Sequence, residues 1–280
     1  MQKYDAPYDA CPICGAANLS TIHNDFRGND IVKCARCTVQ FMSPVYSDEH
    51  LAAYYAGYYG GGVGDADIVA GQLRTNDVKL RYIQRFIRTP GRVLDFGCGN
   101  GNFAQAARDK GWDVTGYDID CDAMQKVAAR LGMPVKCGPL AAVDWQSEVY
   151  DLIHAHHVLE HLKYPLRDLG ILHDRLKEGG YLYIGVPNIH ALSARLKYFA
   201  EKLGLKRRHA GKYYDSDHHV FFYTPRSMKN LLSRCGFDVL LTMNGSKAHL
   251  ADSALAQFFL YQLPNYLYSS SSFFVIARKP

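Results

Sequence analysis

The sequence predicts an α/β fold in which helices cover both faces of a parallel sheet. Two observations carry this prediction. Apolar, strand-like runs alternate with amphipathic helical stretches from residue 92 onward, and a run of glycines follows the first of these strands. A third observation, two cysteine pairs near the N-terminus, predicts a small additional unit. Hydrophobic residues make up 48% of the 280 residues, enough for one main domain and an accessory unit.

The N-terminal unit is predicted from Cys11-x2-Cys14 and Cys34-x2-Cys37. Two such pairs complete a tetrahedron of thiolates around zinc, and because all four ligands are cysteine we expect a structural ion. The segments "STIHNDF" and "IVKC" between the pairs are typical of the short strands of a zinc ribbon. The other cysteines are interpreted as small buried side chains. They are Cys98, Cys121, Cys137 and Cys235.

A linker with helices follows the ribbon. Ser47 is a candidate N-cap, and Val78, Tyr82 and Phe86 form one stripe of a helix predicted over 67–87. Between these helices, tyrosines run into a glycine-rich stretch, which predicts either a lid over a ligand or packing of the linker against the core. The tyrosines are Tyr54, Tyr55, Tyr58 and Tyr59.

The alternating region gives the remaining elements in order. Apolar runs predict strands at 92–96, 113–118, 134–137, 151–155 and 180–186, with helices at 102–110, 121–131 and 165–177. Pro165 at the start and Gly179 past the end mark the last of these helices. Thr224, Pro225 and Gly236 delimit a helix over 225–235, and two apolar runs, "FDVLLTM" and "SSFFVIARK", predict the final strands. The predicted organisation is therefore a ribbon (1–45), a linker (46–90) and a main domain (91–280) with an insertion at about 189–216.

The stretch "RVLDFGCGNGNFAQAA" contains the glycine loop, and its spacing is G-x-G-x-G. A dinucleotide fingerprint requires G-x-G-x-x-G, but Asn102 stands at the third glycine position. Asp95, just before the loop, would repel a pyrophosphate and suits a ligand with an ammonium and a sulfonium. "VTGYDID" ends the next strand in Asp118, which can accept hydrogen bonds from ribose hydroxyls. Together these features predict S-adenosylmethionine.

At this point the chain resembles the class I S-adenosylmethionine-dependent methyltransferases. "VLDFGCGNG" and "YDID" resemble their first two motifs, and "YDLIHAHHVLEHL" and "LKEGGYLYIGVPN" resemble the strand-four and strand-five segments. The resemblance implies a Rossmann-like, seven-stranded sheet whose last strand is antiparallel. It also implies a set of cofactor-binding residues in addition to Asp95. These are Gly97, Gly99 and Gly101 around the methionine portion, Asp118 at the ribose, Ile119 and Leu140 at the adenine, and His156 beneath the methionine portion. Asn100, in the same loop, is a further candidate cofactor-binding residue.

The "LEH" after strand four is similar to a subgroup that includes ubiquinone-biosynthesis O-methyltransferases and enzymes of surface-polysaccharide and natural-product clusters. In the ubiquinone-type enzymes a glutamate of a proposed divalent-metal motif stands where His157 stands here. An N-terminal four-cysteine ribbon is similar to some members of the second group. We therefore predict methyl transfer to a hydroxyl of a sugar nucleotide, polysaccharide precursor or natural product. The alternatives are a ubiquinone-like enzyme acting on a lipid phenol, and an RNA methyltransferase.

Histidines after strand four supply candidate catalytic groups, since a hydroxyl acceptor benefits from a base with a pKa near neutral. His161 is the first candidate for this base, with His157 or His218 as alternates. The four-residue spacing predicts that His157 and His161 lie one helical turn apart, with Glu160 beside them. A bracing role for His161 in the turn, or a second metal held by His157, Glu160 and His161, are the competing interpretations.

Charge and hydropathy limit the partners. The net charge of +5 is compatible with an anionic substrate but too small to indicate nucleic acid, and the ribbon segment 8–42 is nearly charge-balanced. The basic, amphipathic stretch 190–212 predicts contact with an anionic membrane or with a nucleotide-linked substrate, or else a solvated helix face. Because neither a secretory signal nor a membrane span is visible, we expect a cytoplasmic protein.

Overall fold

The computed structural model describes most of the chain. The described residues are 2–24, 29–56, 66–192, 195–196, 199–200, 203–205, 214, 218–244 and 270–280, with side chains left out at 66–74. Tyr58 and Tyr59 of the predicted lid, and most of the predicted insertion, lie outside them. Among the described residues, no helix has both the length and the hydropathy needed to cross a membrane.

The elements of the main sheet follow one another in the predicted order, whereas the strands at Gln40–Ser43 and Phe221–Phe222 were not predicted. The strands are β1 (Leu19–Asn24), β2 (Asp30–Cys34), β3 (Gln40–Ser43), β4 (Arg92–Phe96), β5 (Asp113–Asp118), β6 (Val135–Cys137), β7 (Tyr150–His156), β8 (Leu176–Pro187), β9 (Phe221–Phe222), β10 (Asp238–Asn244) and β11 (Ser272–Arg278). The helices are α1 (Asp48–Tyr55), α2 (Ala66–Ile83), α3 (Asn102–Asp109), α4 (Cys121–Leu131), α5 (Pro165–Asp174) and α6 (Pro225–Arg234). Short 3₁₀ turns occur at Leu140–Ala142 and Leu159–His161.

The main sheet has seven strands in the order β10-β11-β8-β7-β4-β5-β6. Strands β8, β7, β4, β5 and β6 are parallel, and β11 runs antiparallel to both of its neighbours. This confirms the predicted α/β, Rossmann-like fold with an antiparallel last strand. Since the strand order reverses between β4 and β7, the carboxyl ends of these strands form the crevice where such sheets bind ligands.

The cysteine-rich segment forms a separate sheet in the order β1-β2-β3-β9. Its last strand comes from residues 221–222, which follow the main sheet's β8 in the chain and pair with Gln40 and Phe41. Buried residues of the ribbon, including Cys34 and Phe41, belong to the same hydrophobic cluster as Phe96 and Ile153 of the main sheet. The ribbon is thus tied to the main sheet through a common core.

Local sequence signals explain several helix starts. Asp120 caps α4 by accepting from the backbone amides of Asp122 and Ala123. Thr224 and Ser227 form a reciprocal capping box at the start of α6. Both helices therefore begin at the residues predicted from the sequence, Cys121 and Pro225.

Three sequence predictions were wrong in detail. The helix predicted over 165–177 ends at Asp174, because β8 already begins at Leu176 and pairs with Tyr150, so Gly179 lies inside the strand. The stretch after β7 was expected to place His157 and His161 one α-helical turn apart. The chain instead turns through a positive φ of 58° at His157 and then forms the 3₁₀ turn at 159–161.

The third error concerns the cysteines outside the ribbon. Cys121 and Cys137 were interpreted as independent buried side chains, but they form a disulfide. The reason lies in the topology: Cys121 begins α4 just after β5, Cys137 ends β6, and these strands are parallel neighbours, so the two Cα atoms lie 5.0 Å apart. Cys98 is buried as predicted, whereas Cys235 is only half-buried.

Candidate active site

The glycine loop joins β4 to α3 at the carboxyl edge of the sheet. Gly97, Gly99 and Gly101 all have positive φ, and Gly101 is the residue that caps α3. A Cβ on Gly97 would lie 2.2 Å from Val158 Cγ2, so only glycine fits against the segment after β7. Asn100, the exposed residue between Gly99 and Gly101, accepts a hydrogen bond from the Arg130 side chain through its backbone carbonyl. The loop is therefore a tight backbone cradle.

Asp118 closes this cradle from the end of β5. Its Oδ2 accepts a hydrogen bond of 2.9 Å from the Gly99 amide, and burial raises the pKa of its carboxyl group. The next residue, Ile119, is a large apolar side chain that is nevertheless 42% exposed. Leu140 is buried in the turn that follows β6, the strand next to β5. A carboxylate next to an exposed apolar surface is the combination that a ribose and its base require.

Asp95, near the end of β4, is 2% exposed. Its Oδ1 is 2.8 Å from His154 Nδ1 on the adjacent strand β7, and Phe103 stacks on the His154 ring at a centroid distance of 3.5 Å. Burial lowers the pKa of His154 to about 4, so the imidazole is neutral at pH 7 and donates to the carboxylate. Among the described residues, the buried Oδ2 of Asp95 meets no hydrogen-bond donor in good geometry, although the Cys98 thiol and the Lys79 ammonium both interact with this carboxyl group.

Lys79 on α2 is a buried cation next to Asp95 that was not among the predicted site residues. Its side chain is buried within the electrostatic reach of Asp95, and burial lowers the pKa of its ammonium to about 7. His156, the last residue of β7, lies near the same cation, and burial lowers the pKa of this imidazole well below its usual value. In the sequence, Lys79 is only a lysine beside the apolar stripe of a predicted helix. Surface helices commonly show this pattern, so it does not indicate a binding site.

The segment after β7 brings together two of the candidate catalytic groups, His157 and His161, with the candidate metal ligand Glu160. Glu160 is 1% exposed and its Oε1 is 3.0 Å from His157 Nδ1. Nδ1 of His161 is 3.0 Å from the hydroxyl of Tyr55, the last residue of α1, and burial lowers the pKa of this imidazole. His161 is therefore neutral at pH 7 and able to accept a proton.

His218, the third candidate for the catalytic base, is not part of this turn but precedes strand β9. It is buried and stacks with Tyr46 and Tyr54. Its neighbour His219 instead faces His161, at a ring-centroid distance of 4.7 Å. The possible metal ligands that converge here are Glu160, His161 and His219, whose ligand atoms lie within 4.8 Å of one another. The predicted metal set had His157 in place of His219.

The four ribbon cysteines converge on one point. Their sulfur atoms all lie within 4.8 Å of one another, with Cys11 3.5 Å from Cys37 and Cys14 3.5 Å from Cys34. Four sulfurs placed about 2.3 Å from a central zinc would be about 3.8 Å apart. The geometry of the cluster therefore fits a tetrahedral zinc ion.

A family model described as a methyltransferase domain matches residues 72–242, which is more than half of the chain. The chain belongs to this methyltransferase-domain family. The matched segment includes the glycine loop, Asp118 and the histidine-rich turn. This methyltransferase is 30% identical over 119 residues to the ubiquinone biosynthesis O-methyltransferase of Coxiella burnetii, an alignment that covers 40% of the chain and 51% of the relative. The chain thus spans about half the length of that relative.

Solved structures support the same fold. The crystal structure of magnesium protoporphyrin IX methyltransferase from Synechocystis, with bound S-adenosylhomocysteine, matches with a TM-score of 0.55 and 18% identity, covering 84% of this chain and 100% of that one. An S-adenosylmethionine-dependent methyltransferase from Archaeoglobus fulgidus matches with a TM-score of 0.52 and 21% identity, covering 74% and 94%. At these identities the likeness concerns the fold.

Proposed function

We propose that this methyltransferase binds S-adenosylmethionine at the carboxyl ends of β4 and β5. The observation that carries the proposal is the pair of buried carboxylates on either side of the glycine cradle. Asp118 is anchored by the Gly99 amide, while Asp95 keeps one buried oxygen without a described hydrogen-bond partner. A pyrophosphate between two carboxylates would be repelled, whereas a ribose and an ammonium are both suited to them.

The remaining residues of the cradle fit the other parts of this ligand. Gly97, Gly99, Asn100 and Gly101 would surround the methionine portion, Ile119 and Leu140 would contact the adenine, and His156 would lie below the methionine portion. Lys79 extends the predicted set: its ammonium, held near Asp95, is suited to the carboxylate of the methionine portion. The bound sulfonium supplies the activated methyl group.

We propose that His161 is the general base that removes the proton of the acceptor hydroxyl. The imidazole is neutral at pH 7, its orientation is fixed by Tyr55, and it follows the strand whose end borders the cradle. His157 pairs with Glu160 and His218 stacks between tyrosines, so they remain alternates. A divalent cation held by Glu160, His161 and His219 is the competing interpretation, because their ligand atoms converge.

We propose that Cys11, Cys14, Cys34 and Cys37 hold a structural zinc ion. All four sulfurs are close enough to share one ion, and no fifth donor is needed for a closed tetrahedral site. The ribbon shares a core with the main sheet, so the ion stabilises more than the ribbon alone.

For the acceptor we propose a hydroxyl of a sugar nucleotide or a related polysaccharide or natural-product precursor. The four-cysteine ribbon supports this class, since its resemblance is to enzymes of that kind. Incubating the zinc-loaded protein with methyl-labelled S-adenosylmethionine and separate pools of sugar nucleotides, lipid phenols and RNA tests the proposal. Labelling of the sugar-nucleotide pool alone is expected, and labelling of RNA alone would contradict it.

A second candidate, methylation of a lipid phenol, is favoured by one observation. Large apolar side chains are exposed between residues 192 and 205, as a surface that contacts lipid would require. They are Leu192, Leu196, Phe199, Leu203 and Leu205. The relatives named ubiquinone biosynthesis O-methyltransferase point to the same class. Co-sedimentation with anionic vesicles, comparing the native chain with Leu196→Ser/Phe199→Ser, tests whether these residues contact lipid.

A further inference from the structure

A cavity of about 830 Å³ lies between the ribbon, the segment after β8, the start of α6 and the strand β10. Its volume is in the range of small-molecule sites. Asn188 and His190 form one side of it, directly after the C-terminal end of β8. Because β8 is parallel to β7 and β4, this side lies at the same sheet edge as the cofactor cradle. The cavity is separate from the cradle, since it contains neither Asp95 nor Asp118.

The lining of this cavity is strongly basic. Lys33 comes from β2 of the ribbon, Arg195 follows β8, and Arg226 and Lys229 lie on the first two turns of α6. None of the described residues that line it is acidic. The described salt bridges do not include any of these four cations. We refer to this cavity, with Lys33, Arg195, Arg226 and Lys229, as the basic pocket.

Two further observations show that positive charge is concentrated here. Burial lowers the pKa of His190, and the nearby charges of Lys33 and Arg195 lower it further. The N-terminus of α6 also opens at the pocket, which adds the positive end of a helix dipole. Like charges held close together in a fold raise its energy unless an anion compensates them.

Thr38, at the pocket wall, has an unusual backbone. It follows the second cysteine pair as Gly15 follows the first, and both residues have positive φ, 64° and 70° respectively. Glycine adopts this conformation readily, whereas a β-branched residue does so under strain. The Oγ1 of Thr38 is buried and, within the described part of the chain, has no hydrogen-bond partner. Backbone strain of this kind is concentrated at functional sites.

We propose that the basic pocket binds a phosphate or diphosphate group of the methyl acceptor. Arg226 and Lys229 on a rigid helix, with Lys33 from the ribbon, would neutralise the phosphoryl charges, and Arg195 would close the pocket from the other side. The acceptor class is then a phosphorylated compound such as a nucleoside-diphosphate sugar. This assignment gives the ribbon a role in binding in addition to its zinc ion. It rests on the proposed function only in attributing the phosphate to the acceptor.

The first test measures binding of inorganic pyrophosphate to the zinc-loaded protein by isothermal titration calorimetry. We expect saturable binding that weakens about tenfold or more in Arg226→Gln/Lys229→Gln, because two charge-assisted contacts are lost. Lys126→Gln, which removes an exposed cation on α4 outside the pocket, is the matched control and should bind as the native protein does. Absence of saturable binding, or equal binding by the double variant, would overturn the inference.

The second test separates the possible sources of the phosphate. With a nucleoside-diphosphate sugar as acceptor, the double variant should show a higher KM and a nearly unchanged kcat. If the native chain binds phosphatidylglycerol vesicles through Arg226 and Lys229 but does not bind pyrophosphate, the pocket recognises a lipid surface and the inference is wrong. S-adenosylmethionine affinity, measured on the same samples, shows separately whether the proposed cofactor site holds.

Discussion

His154 on β7 and Asp95 on β4 form a buried hydrogen bond of 2.8 Å across two adjacent parallel strands. The bond fixes the carboxylate beside the glycine cradle, and its other oxygen has no hydrogen-bond partner among the described residues. The pair forms because Asp95 and His154 face each other in the strand register. An aspartate before the glycine loop is thus oriented by a residue 59 positions away in the chain.

The buried His154 predicts that stability falls in mild acid. The pKa of the imidazole is about 4 in the folded chain and 6.5 in the unfolded chain, so the unfolded chain binds the proton first as pH decreases. The neutral His154 therefore makes its full contribution to the free energy of unfolding above pH 6.5. This contribution decreases by roughly 3 kcal/mol as the pH falls toward 4. Urea unfolding of native protein and His154→Gln at pH 7.5 and 5.0 measures it: the variant should lose less stability between the two pH values. An equal loss in both proteins would contradict the assignment.

Asp118→Asn should weaken S-adenosylmethionine binding by about 10- to 100-fold. The amide is isosteric with the carboxylate, but it loses the charge that strengthens hydrogen bonds from ribose hydroxyls. Asp113→Asn is a matched control, because Asp113 lies at the other end of the same strand, away from the cradle, and is largely exposed. Calorimetric titration of both variants checks this. If the two variants bind equally well, the ribose is not held by Asp118.

Some parts of this site could be predicted from the sequence and others could not. The glycine loop, Asp95 and Asp118 are contiguous with strands that have clear apolar runs, so their positions follow from local signals. Lys79 could not be assigned, since only the packing of α2 against the sheet buries it beside Asp95. The pairing of Cys121 with Cys137 likewise depends on which strands become neighbours. Distant residues that meet through tertiary packing leave no local pattern.

His161→Ala should lower kcat by about 10²- to 10⁴-fold and leave S-adenosylmethionine affinity unchanged, as expected for loss of a general base. Tyr55→Phe keeps the ring but removes the hydroxyl that contacts His161 Nδ1, so a smaller decrease is expected. Single-turnover rates across pH 6–9 measure both. A lowered melting temperature with a normal rate in His161→Ala would instead indicate that the residue braces the turn. Loss of native activity on chelation with EDTA, reversed by a divalent cation, would favour the metal interpretation.

Removal of zinc is expected to destabilise the whole chain in one transition. Cys34 and Cys37 lie in the same buried cluster as Phe96, Ile153 and other residues of the main sheet, so the ribbon cannot unfold without exposing part of that core. Cys14→Ser should reduce bound zinc well below one ion per chain and lower the melting temperature by about 5 °C or more. Cys235→Ser, at a half-buried cysteine outside the ribbon, should retain its zinc. Metal analysis and calorimetric melting check both variants. A main transition that stays at the native temperature after zinc loss would show that the two sheets are energetically independent, contrary to the shared core.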